Sequence, residues 1–295
     1  MIKRGCVLVA MLVFVAVLIP LTDPGRRGAA APPVIAGRVH DEFQPNRGKI
    51  FVLVIGSDAR AGNPDAARAD ALHVVGINTR TMKGGILNFP RDSWVSIPGH
   101  GQGRINESLY QGGPKLVART VESLTGIRLD YWVMTGFEGF GNIVRALNGV
   151  PYEIHQDIFD PGGSGARIRA GTKRLNQFTA LQFVRTRHNF PRGDIDRTTN
   201  QAKFLLAMLR KLRSNVRRNP PSLLRWIAAG RKHTRLNLSP QETFRLAVLA
   251  TQVKSKDVGN VTIPVSYGAV GAASVVFISP GAQSIYQRFR RKASL

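Results

Sequence analysis

Cysteine, acidic residues and aromatic residues are all scarce in this sequence, and the shortages of cysteine and of aromatic residues each argue against a class of protein. The only cysteine, Cys6, lies in an apolar N-terminal run, so the rest of the chain has no disulfide and no thiol chemistry. No group of cysteines and histidines has the spacing of zinc ligands. Aromatic residues make up 7% of the chain, and single-strand nucleic-acid binders need such residues on their basic strands for stacking. The sequence also lacks a helix-turn-helix or zinc-finger pattern.

Positive charge is what the chain has in excess. It carries 42 Lys and Arg against 18 Asp and Glu, which gives a net charge of +24 and a pI near 11.4. Such a field attracts phosphate-rich partners, namely nucleic acid, anionic lipid headgroups or phosphorylated cell-surface polymers. Hydrophobic residues make up 43% of the chain, which is ample for a folded core and excludes a disordered basic tail.

The N-terminus predicts a membrane anchor. Residues 5–22 carry no charge and follow Lys3 and Arg4, and about eighteen apolar residues is the lower limit for a helix that spans a bilayer. We therefore assign residues 1–22 to a cytoplasmic stub and transmembrane helix, in a single-pass cell-membrane protein whose remaining chain is extracytoplasmic. The alternative is a cleaved signal peptide, with the small residues 29–31 as its cleavage region. Residues 23–47, rich in Pro, Gly, Ala and Arg, are predicted to be a linker.

From residue 48 to residue 290, predicted strands and helices alternate in one α/β domain. Residues 50–56 form a continuous apolar run, typical of a strand buried on both faces. Predicted strands also cover residues 71–78, 85–89, 131–135, 261–265 and 274–279. The helix predicted from residue 137 to residue 147 has an apolar stripe, for which we expect core packing, with a channel for a lipid tail as the alternative.

Aspartate and arginine recur together at the ends of the first three strands. Asp58 and Arg60 follow the first, Asp70 precedes the second, and Arg91 follows the third. Ligands bind at the carboxyl ends of strands in open α/β sheets. Carboxylate oxygens suit Mg²⁺, which takes one or two carboxylates and completes its shell with water and phosphate. Asp58 and Asp70 are therefore the candidate metal ligands, and turn or cap roles are the alternative.

Residues 183–197 are the most distinctive stretch. They hold four arginines, two aspartates and a histidine, and a helix with apolar residues at helical spacing follows. Asp194 or Asp196 is expected to cap that helix. A helix start preceded by arginines is suited to binding anions, whereas a solvated ion-pair network is the alternative. Residues 185 and 187 could also end a strand and point to one side.

Six motifs in this order resemble those of the LytR–CpsA–Psr family of cell-envelope phosphotransferases. They cover the chain from about residue 50 to at least residue 213, and one departure is that alanine flanks Asp70 on both sides, where the family often has hydroxyl residues. The motifs are Gly56-Ser57-Asp58-Ala59-Arg60, Arg68-Ala69-Asp70, Pro90-Arg91-Asp92, Gly112-Gly113-Pro114, Val184-Arg185-Thr186-Arg187-His188, and Arg192-Gly193-Asp194-Ile195-Asp196-Arg197 with Gln201.

The resemblance implies a single three-layer α-β-α domain with a mixed central sheet. It implies an extracytoplasmic enzyme that moves a glycopolymer, such as teichoic acid or arabinogalactan, from a polyprenyl-pyrophosphate carrier to peptidoglycan through a phosphodiester. Asp58 and Asp70 would hold Mg²⁺ against the pyrophosphate. The arginines that would bind its oxygens are Arg91, Arg185, Arg187 and Arg197, with Arg60, Arg192 and Gln201 in support.

The residue chemistry suits this reaction, because phosphoryl transfer requires mainly positioning and charge stabilisation. Asp194 or Asp92 is the expected general base, and His188 is expected to be structural. Three alternatives stay open: a nucleic-acid-binding regulator, a noncatalytic anchor for anionic polymers, and a pyrophosphatase that uses water as acceptor. An extracytoplasmic location argues against nucleic acid as a partner.

Overall fold

A seven-stranded mixed sheet organises the fold. The computed structural model describes residues 34–40, 48–59, 67–232, 234–236 and 240–295. The strands of the sheet, numbered in chain order, are β1 Val34–Arg38, β2 Lys49–Ser57, β3 Ala69–Asn78, β4 Lys83–Phe89, β7 Tyr131–Thr135, β12 Thr234–Leu236 and β13 Val258–Thr262. Strand order in the sheet is β12-β1-β7-β2-β3-β4-β13, with β2, β3 and β4 antiparallel and the pairs β2–β7, β4–β13 and β1–β12 parallel.

Four two-stranded sheets surround the central one. They pair β5 Trp94–Ile97 with β6 Gly101–Arg104, β8 Val150–Pro151 with β11 Arg174–Leu175, β9 Ile158–Asp160 with β10 Ala166–Ile168, and β14 Val265–Val270 with β15 Ala273–Ile278. The helices are α1 Ser108–Thr125, α2 Phe137–Ala146, α3 Gln177–Arg185, α4 Asp194–Arg218, α5 Ser222–Lys232, α6 Pro240–Gln252 and α7 Ala282–Lys292.

Helices lie against both faces of the sheet. On one face, Phe51, Leu53 and Ile55 of β2 are buried in a cluster with residues of α1 and α7, and the rings of Phe51 and Phe289 lie 5.5 Å apart. On the other face, Val54 shares a cavity with Leu205 of α4 and with Ala250 of α6. The fold is thus α/β with a mixed central sheet between helices, as predicted.

Two expectations about strands are wrong. Burial alternates along β2, since Phe51, Leu53 and Ile55 are buried while Val52 and Val54 are only half-buried. The continuous apolar run does not give burial on both faces, because the second face of the strand borders a cavity. The strand predicted over residues 261–265 is divided, since β13 ends at Thr262 and β14 begins at Val265. Pro264 lies between them and cannot donate a ladder hydrogen bond.

The predicted linker also contains structure. Val34–Arg38, within residues 23–47, is β1 and pairs with both β7 and β12. Arg38 Nη2 lies 2.9 Å from Glu242 Oε1, and this ion pair ties β1 to α6. Five residues beside Pro-rich sequence give too weak a periodicity to reveal a strand. The predicted anchor at residues 1–22 lies outside the described residues, and in the ranges that are described no helix has the length and apolar character needed to cross a membrane.

Candidate active site

Three elements bring aspartates and arginines into one cluster. Asp70 lies at the start of β3, Arg91 follows β4, and Asp194 and Arg197 lie in the first turn of α4. Arg91 Nη1 donates to Asp70 Oδ1 at 2.5 Å, and its Nε lies 3.5 Å from Asp194 Oδ1. Arg197 Nη2 lies 2.7 Å from Asp194 Oδ1, and Arg197 Nη1 lies 3.8 Å from Asp70 Oδ2. Residues predicted from separate motifs therefore form one cluster, which we call the arginine–aspartate cluster.

Asp194 and Arg197 form a largely buried ion pair whose geometry does not give directed hydrogen bonds to Asp194. The Arg197 side chain is 4% exposed and that of Asp194 is 20% exposed. Burial raises the pKa of Asp194 despite the nearby charges of Arg197 and Arg91, and burial also lowers the pKa of Arg197 against the attraction of Asp194. Neither oxygen of Asp194 accepts a directed hydrogen bond from a described residue. The pair is thus held by the attraction of opposite charges at short range.

Arg91 is the central cation of the cluster. Burial draws its pKa down, but the carboxylates of Asp70, Asp194 and Asp92 outweigh that effect, so the pKa is raised. Arg91 Nε also lies 3.5 Å from Asp92 Oδ2. A guanidinium held by three carboxylates stays charged and fixed in orientation, as a preorganised anion-binding group must.

Further arginines give the cluster excess positive charge. Arg104 Nε lies 4.0 Å from Asp92 Oδ1, and Arg187 is close enough to both Asp194 and Arg197 to influence their pKa values. Arg185 borders the same cleft as Asp70 and Arg197. Five arginines thus accompany three aspartates, which leaves two positive charges for a bound anion to neutralise. Arg104 was not predicted, because it follows a glycine-containing hairpin turn and nothing in the local sequence distinguishes it.

Arg185 marks the boundary between the charged cluster and an apolar cleft. Its guanidinium lies 4.5 Å from the centre of the Phe137 ring. The cleft has a volume of about 100 Å³ and is otherwise mostly apolar. A second apolar cavity of about 160 Å³ shares Val54 and Leu205 with it and continues between the sheet and α4. The apolar residues of the first cleft are Val54, Ile55, Ala71, Phe137, Phe140, Leu181, Val184, Phe204 and Leu205.

The stripe on α2 therefore has two roles. Val144 and Leu147 are buried in the core as predicted, whereas Phe137 and Phe140 line the cleft. The alternative that Arg185 and Arg187 end a strand is wrong, because α3 ends at Arg185. The next residue, Thr186, has an extended backbone conformation, so the helix does not continue past Arg185.

A buried polar network lies beneath the cleft. His73 of β3 and Gln201 of α4 both border the cleft, and Gln201 Nε2 donates to the Val184 carbonyl at 3.0 Å. His73 Nδ1 lies 2.8 Å from Asn88 Oδ1. Burial lowers the pKa of His73 to about 4, against opposing hydrogen bonds with Asn88 and Gln201. His73 is neutral at physiological pH. Sequence reasoning missed it because one histidine within an apolar strand carries no motif.

The candidate metal ligands lie on adjacent strands at one end of the sheet. Ser57 pairs with Ala69 and Gly56 with Ala71, so Asp70 occupies the irregularity between these pairs and Asp58 follows directly. Asp58 Oδ1 accepts a hydrogen bond from Arg68 N at 2.8 Å. In the described ranges, no group of three or more His, Cys, Asp or Glu side chains could hold a metal ion. Two carboxylates still fit Mg²⁺, which needs only one or two when water and phosphate complete its shell.

Other predicted residues are placed less centrally. The side chain of Arg192 is 63% exposed and pairs with Asp196 at 2.6 Å, away from the contacts that hold the cluster together. His188 Nδ1 lies 2.8 Å from Asp160 Oδ1, which fits the structural role expected for it. Arg60 lies outside the described residues.

The predicted helix cap is wrong. Gly193, with φ 48° and ψ −108°, occupies the N-cap position of α4, and Asp194 is the first helical residue. The two aspartates are engaged elsewhere, Asp194 with arginines of the cluster and Asp196 with Arg192. Both carboxylates therefore form ion pairs with arginines instead of capping the helix, which is the role that local sequence rules predict for aspartate at this position.

Comparison with known proteins gives a consistent result. The model of the LytR_cpsA_psr family matches residues 30–290. The polyisoprenyl-teichoic acid–peptidoglycan teichoic acid transferase TagT of Bacillus subtilis is 32% identical over 222 residues, which is 72% of this chain and 68% of TagT. The regulatory protein MsrR of Staphylococcus aureus is 30% identical, over 77% of this chain and 69% of MsrR. The probable cell wall biosynthesis protein LcpB of Corynebacterium glutamicum is 35% identical, but the match covers 53% of this chain and only 40% of LcpB.

Solved structures of TagT share the fold. TagT bound to LI-WTA superposes with a TM-score of 0.70 and 26% identity, over 86% of this chain and 94% of the TagT chain. TagT with bound octaprenyl pyrophosphate lipid superposes with a TM-score of 0.65 and 25% identity, over 86% and 93% of the two chains. The family match, the mixed sheet and the arginine–aspartate cluster agree with the motifs, and the chain belongs to the LytR–CpsA–Psr family.

Proposed function

We propose that this protein transfers an anionic glycopolymer from a polyprenyl-pyrophosphate carrier to a hydroxyl of peptidoglycan and forms a phosphodiester. The observation that supports this most is the continuity of the arginine–aspartate cluster with the apolar cleft. Asp70, Arg185 and Arg197 border a cleft whose other walls are mainly aliphatic and aromatic. A ligand that satisfies both parts has an anionic head and a long apolar tail, as a prenyl pyrophosphate has. TagT, a transferase by name, has been solved with such a lipid bound.

The arginines would hold the diphosphate and stabilise its charge. Arg91 is fixed by carboxylates at 2.5 Å and 3.5 Å, so it needs little reorganisation when an anion binds. Arg197 is almost fully buried, where its interaction with phosphate oxygen is weakly screened. Arg185, above the Phe137 ring, would contact the phosphate nearest the tail. Guanidinium groups suit this role because they bind phosphate in bidentate geometry and stay charged.

Asp194 is the best-placed general base. Its two oxygens accept no directed hydrogen bond from described residues, and burial raises its pKa toward the pH at which a base is most effective. In the proposed step a sugar hydroxyl of peptidoglycan attacks the phosphorus that carries the glycan. Asp194 takes the hydroxyl proton, the phosphorus–oxygen bond to the prenyl phosphate breaks, and prenyl phosphate leaves with that electron pair. Asp92, which lies beside Arg91, is the second candidate for the base.

Asp58 and Asp70 would hold a Mg²⁺ ion on the same side of the cluster. When bound, the ion would supply positive charge to the non-bridging oxygens of the diphosphate. Asp70 has the additional role of orienting Arg91 through the 2.5 Å hydrogen bond. We also propose that the domain works on the outer side of the cell membrane, anchored by the apolar segment at residues 5–22.

The test is an assay with purified full-length protein, a polyprenyl-pyrophosphate-linked glycan and peptidoglycan, with and without Mg²⁺. Release of prenyl phosphate should require peptidoglycan and the glycan should become attached to it. Release without peptidoglycan would identify a pyrophosphatase instead. Arg185→Ala should reduce transfer by about two orders of magnitude or more, the effect expected when one preorganised charge is removed.

Arg167→Ala is a matched control. Arg167 also lies over an aromatic ring, 5.2 Å from the centre of Phe159, but it does not border the cleft. Transfer by this variant should equal that of the unaltered protein. Normal transfer by Arg185→Ala would reject the assigned role of that arginine, and absence of transfer by the unaltered protein would reject the proposed function.

A further inference from the structure

A third cavity, which we call the basic cavity, lies well away from the arginine–aspartate cluster. It has a volume of about 330 Å³ and lies between the end of α2, the last part of α4 and the start of α5. Lys211, on its wall, follows Arg197 by fourteen residues on α4. At about 1.5 Å of rise per residue, this separates the two residues by roughly 21 Å along the helix. The cavity is therefore a separate place on the molecule, and none of its walls is used in the reaction described above.

Four cations and no carboxylate line the basic cavity. Arg174, Lys211, Arg218 and Arg225 all border it. In the stretches that the structure describes, ion pairs form elsewhere and involve none of these four residues. Like charges held around one cavity repel each other, and no carboxylate on the cavity walls offsets them. This contrasts with the arginine–aspartate cluster, where aspartates offset most of the positive charge.

Lys211 is the most constrained of the four. The residue is 7% exposed, and its Nζ donates a hydrogen bond to the Gly149 carbonyl. Burial, and then the positive charge of Arg174, lower the pKa of Lys211. A buried ammonium group normally has a carboxylate partner. An anion bound in the cavity would supply the missing charge.

Uncharged groups on the walls indicate more than a binding site for a free ion. Trp226 borders the cavity and presents a large flat apolar surface. Ser222 is 4% exposed and also borders the cavity, and its hydroxyl has no hydrogen-bond partner among the described residues. Asn148, Asn215 and Asn219 add amide groups. Cations, an aromatic surface and neutral hydrogen-bonding groups together suit a sugar that carries an acidic group.

We propose that this cavity is a binding site for an anionic glycan, with Arg174, Lys211, Arg218 and Arg225 neutralising a phosphate or carboxylate and Trp226 contacting a sugar ring. In the transfer reaction, on which this part of the inference rests, the occupant would be a saccharide of the anionic polymer distant from the bond that breaks. Contacts far from the reacting group increase the occupancy of a long donor without changing the chemical step.

The experiment measures binding of prenyl-free oligosaccharides to purified full-length protein by calorimetry. The probes are a sugar-phosphate oligomer, a uronic acid oligomer and a neutral oligosaccharide of equal length. The double variant Arg174→Glu/Arg225→Glu should weaken binding of an acidic oligomer at least tenfold, and so should Trp226→Ala. The matched control Arg217→Glu/Arg291→Glu changes the net charge equally at exposed arginines outside the cavity, and it should weaken binding less than twofold.

Each result has a defined meaning. A preference for the sugar-phosphate or the uronic acid oligomer identifies the acidic group. Equal losses in both double variants, or equal binding of the neutral oligosaccharide, would overturn the inference. It would also be overturned if the cavity variants lost binding to vesicles of anionic lipid while oligosaccharide binding stayed normal. Prenyl phosphate release from a donor with a single sugar tests the transfer reaction separately, since that release should be unchanged by Arg174→Glu/Arg225→Glu.

Discussion

Replacing Arg197 by methionine should destabilise the protein strongly, because it leaves the buried Asp194 carboxylate without its nearest cation. The two groups lie 2.7 Å apart and the arginine side chain is 4% exposed. At this distance an effective dielectric of about 20 gives an attraction of about 6 kcal/mol. Arg91 remains 3.5 Å from Asp194 and compensates part of the loss. Breaking one partner of a buried pair typically costs about 3–5 kcal/mol, and we expect about 3 kcal/mol here.

Thermal unfolding of the purified protein measures this effect. For a domain of this size, 1 kcal/mol shifts the midpoint by about 2–4 °C, so the expected decrease is about 6–12 °C. Arg192→Met is the matched control, because Arg192 pairs with Asp196 at 2.6 Å but is 63% exposed. Exposed pairs contribute about 0–1 kcal/mol, and its midpoint should fall by no more than about 4 °C.

The double variant Arg197→Met/Asp194→Asn separates charge from packing. If a stranded carboxylate causes the loss, removing that charge should recover at least about 1 kcal/mol relative to the sum of the single variants. The pH dependence has a matching sign. The deficit of Arg197→Met should be largest at neutral pH, and it should shrink as the pH falls through the raised pKa of Asp194, because a protonated carboxyl needs no cation. Additive single effects and a deficit that does not change with pH would refute this account.

Three further predictions concern other parts of the site. Leu205→Trp should fill the apolar cleft and the adjoining 160 Å³ cavity. In a competition assay, binding of a long prenyl pyrophosphate should weaken at least tenfold, and binding of a five-carbon analogue should not change. Equal losses for both ligands would contradict the proposal that the prenyl tail lies in these cavities. Gly193→Ala should lower stability by about 1–2 kcal/mol in denaturant unfolding, since φ is 48° there, and an unchanged midpoint would reject that strain. The pKa of His73 is lowered from 6.5 to about 4, so the folded state is most stable relative to the unfolded state above pH 6.5, and about 3 kcal/mol of stability is lost as the pH falls toward 4. The variant His73→Gln should show a flatter dependence of stability on pH between 4 and 6.5. An unchanged pH dependence would exclude His73 as its source.

Much of the fold followed from the sequence because its signals are local. Apolar runs flanked by Asp and Arg predicted β2, β3 and β4. The residues Asp70, Arg91, Asp194 and Arg197 followed from the motifs and the family resemblance. The antiparallel pairing that brings the start of β3 beside the ends of β2 and β4 was not predicted.

What the sequence did not reveal depends on contacts between distant segments. Strand β1 exists because Val34–Arg38 pairs with β7 and β12, which lie about a hundred and two hundred residues away along the chain. His73 is neutral because the core surrounding it, built from distant segments, buries it. The basic cavity is formed by parts of three helices and a strand, and no single stretch of sequence contains enough of its cations to predict it.

The 160 Å³ cavity beneath α4 has a consequence for the lipid carriers that the proposed function requires. Its walls consist of aliphatic residues and two glycines and carry no polar side chain. Each methylene of a guest would gain a similar dispersion and desolvation energy, about 0.8 kcal/mol, until the space is full. Carriers whose prenyl chains differ only in the part that extends beyond the cavity should therefore bind with similar affinity. Discrimination between substrates then depends on the polar end of the carrier. A domain built in this way would serve prenyl carriers of more than one length without any change in its core.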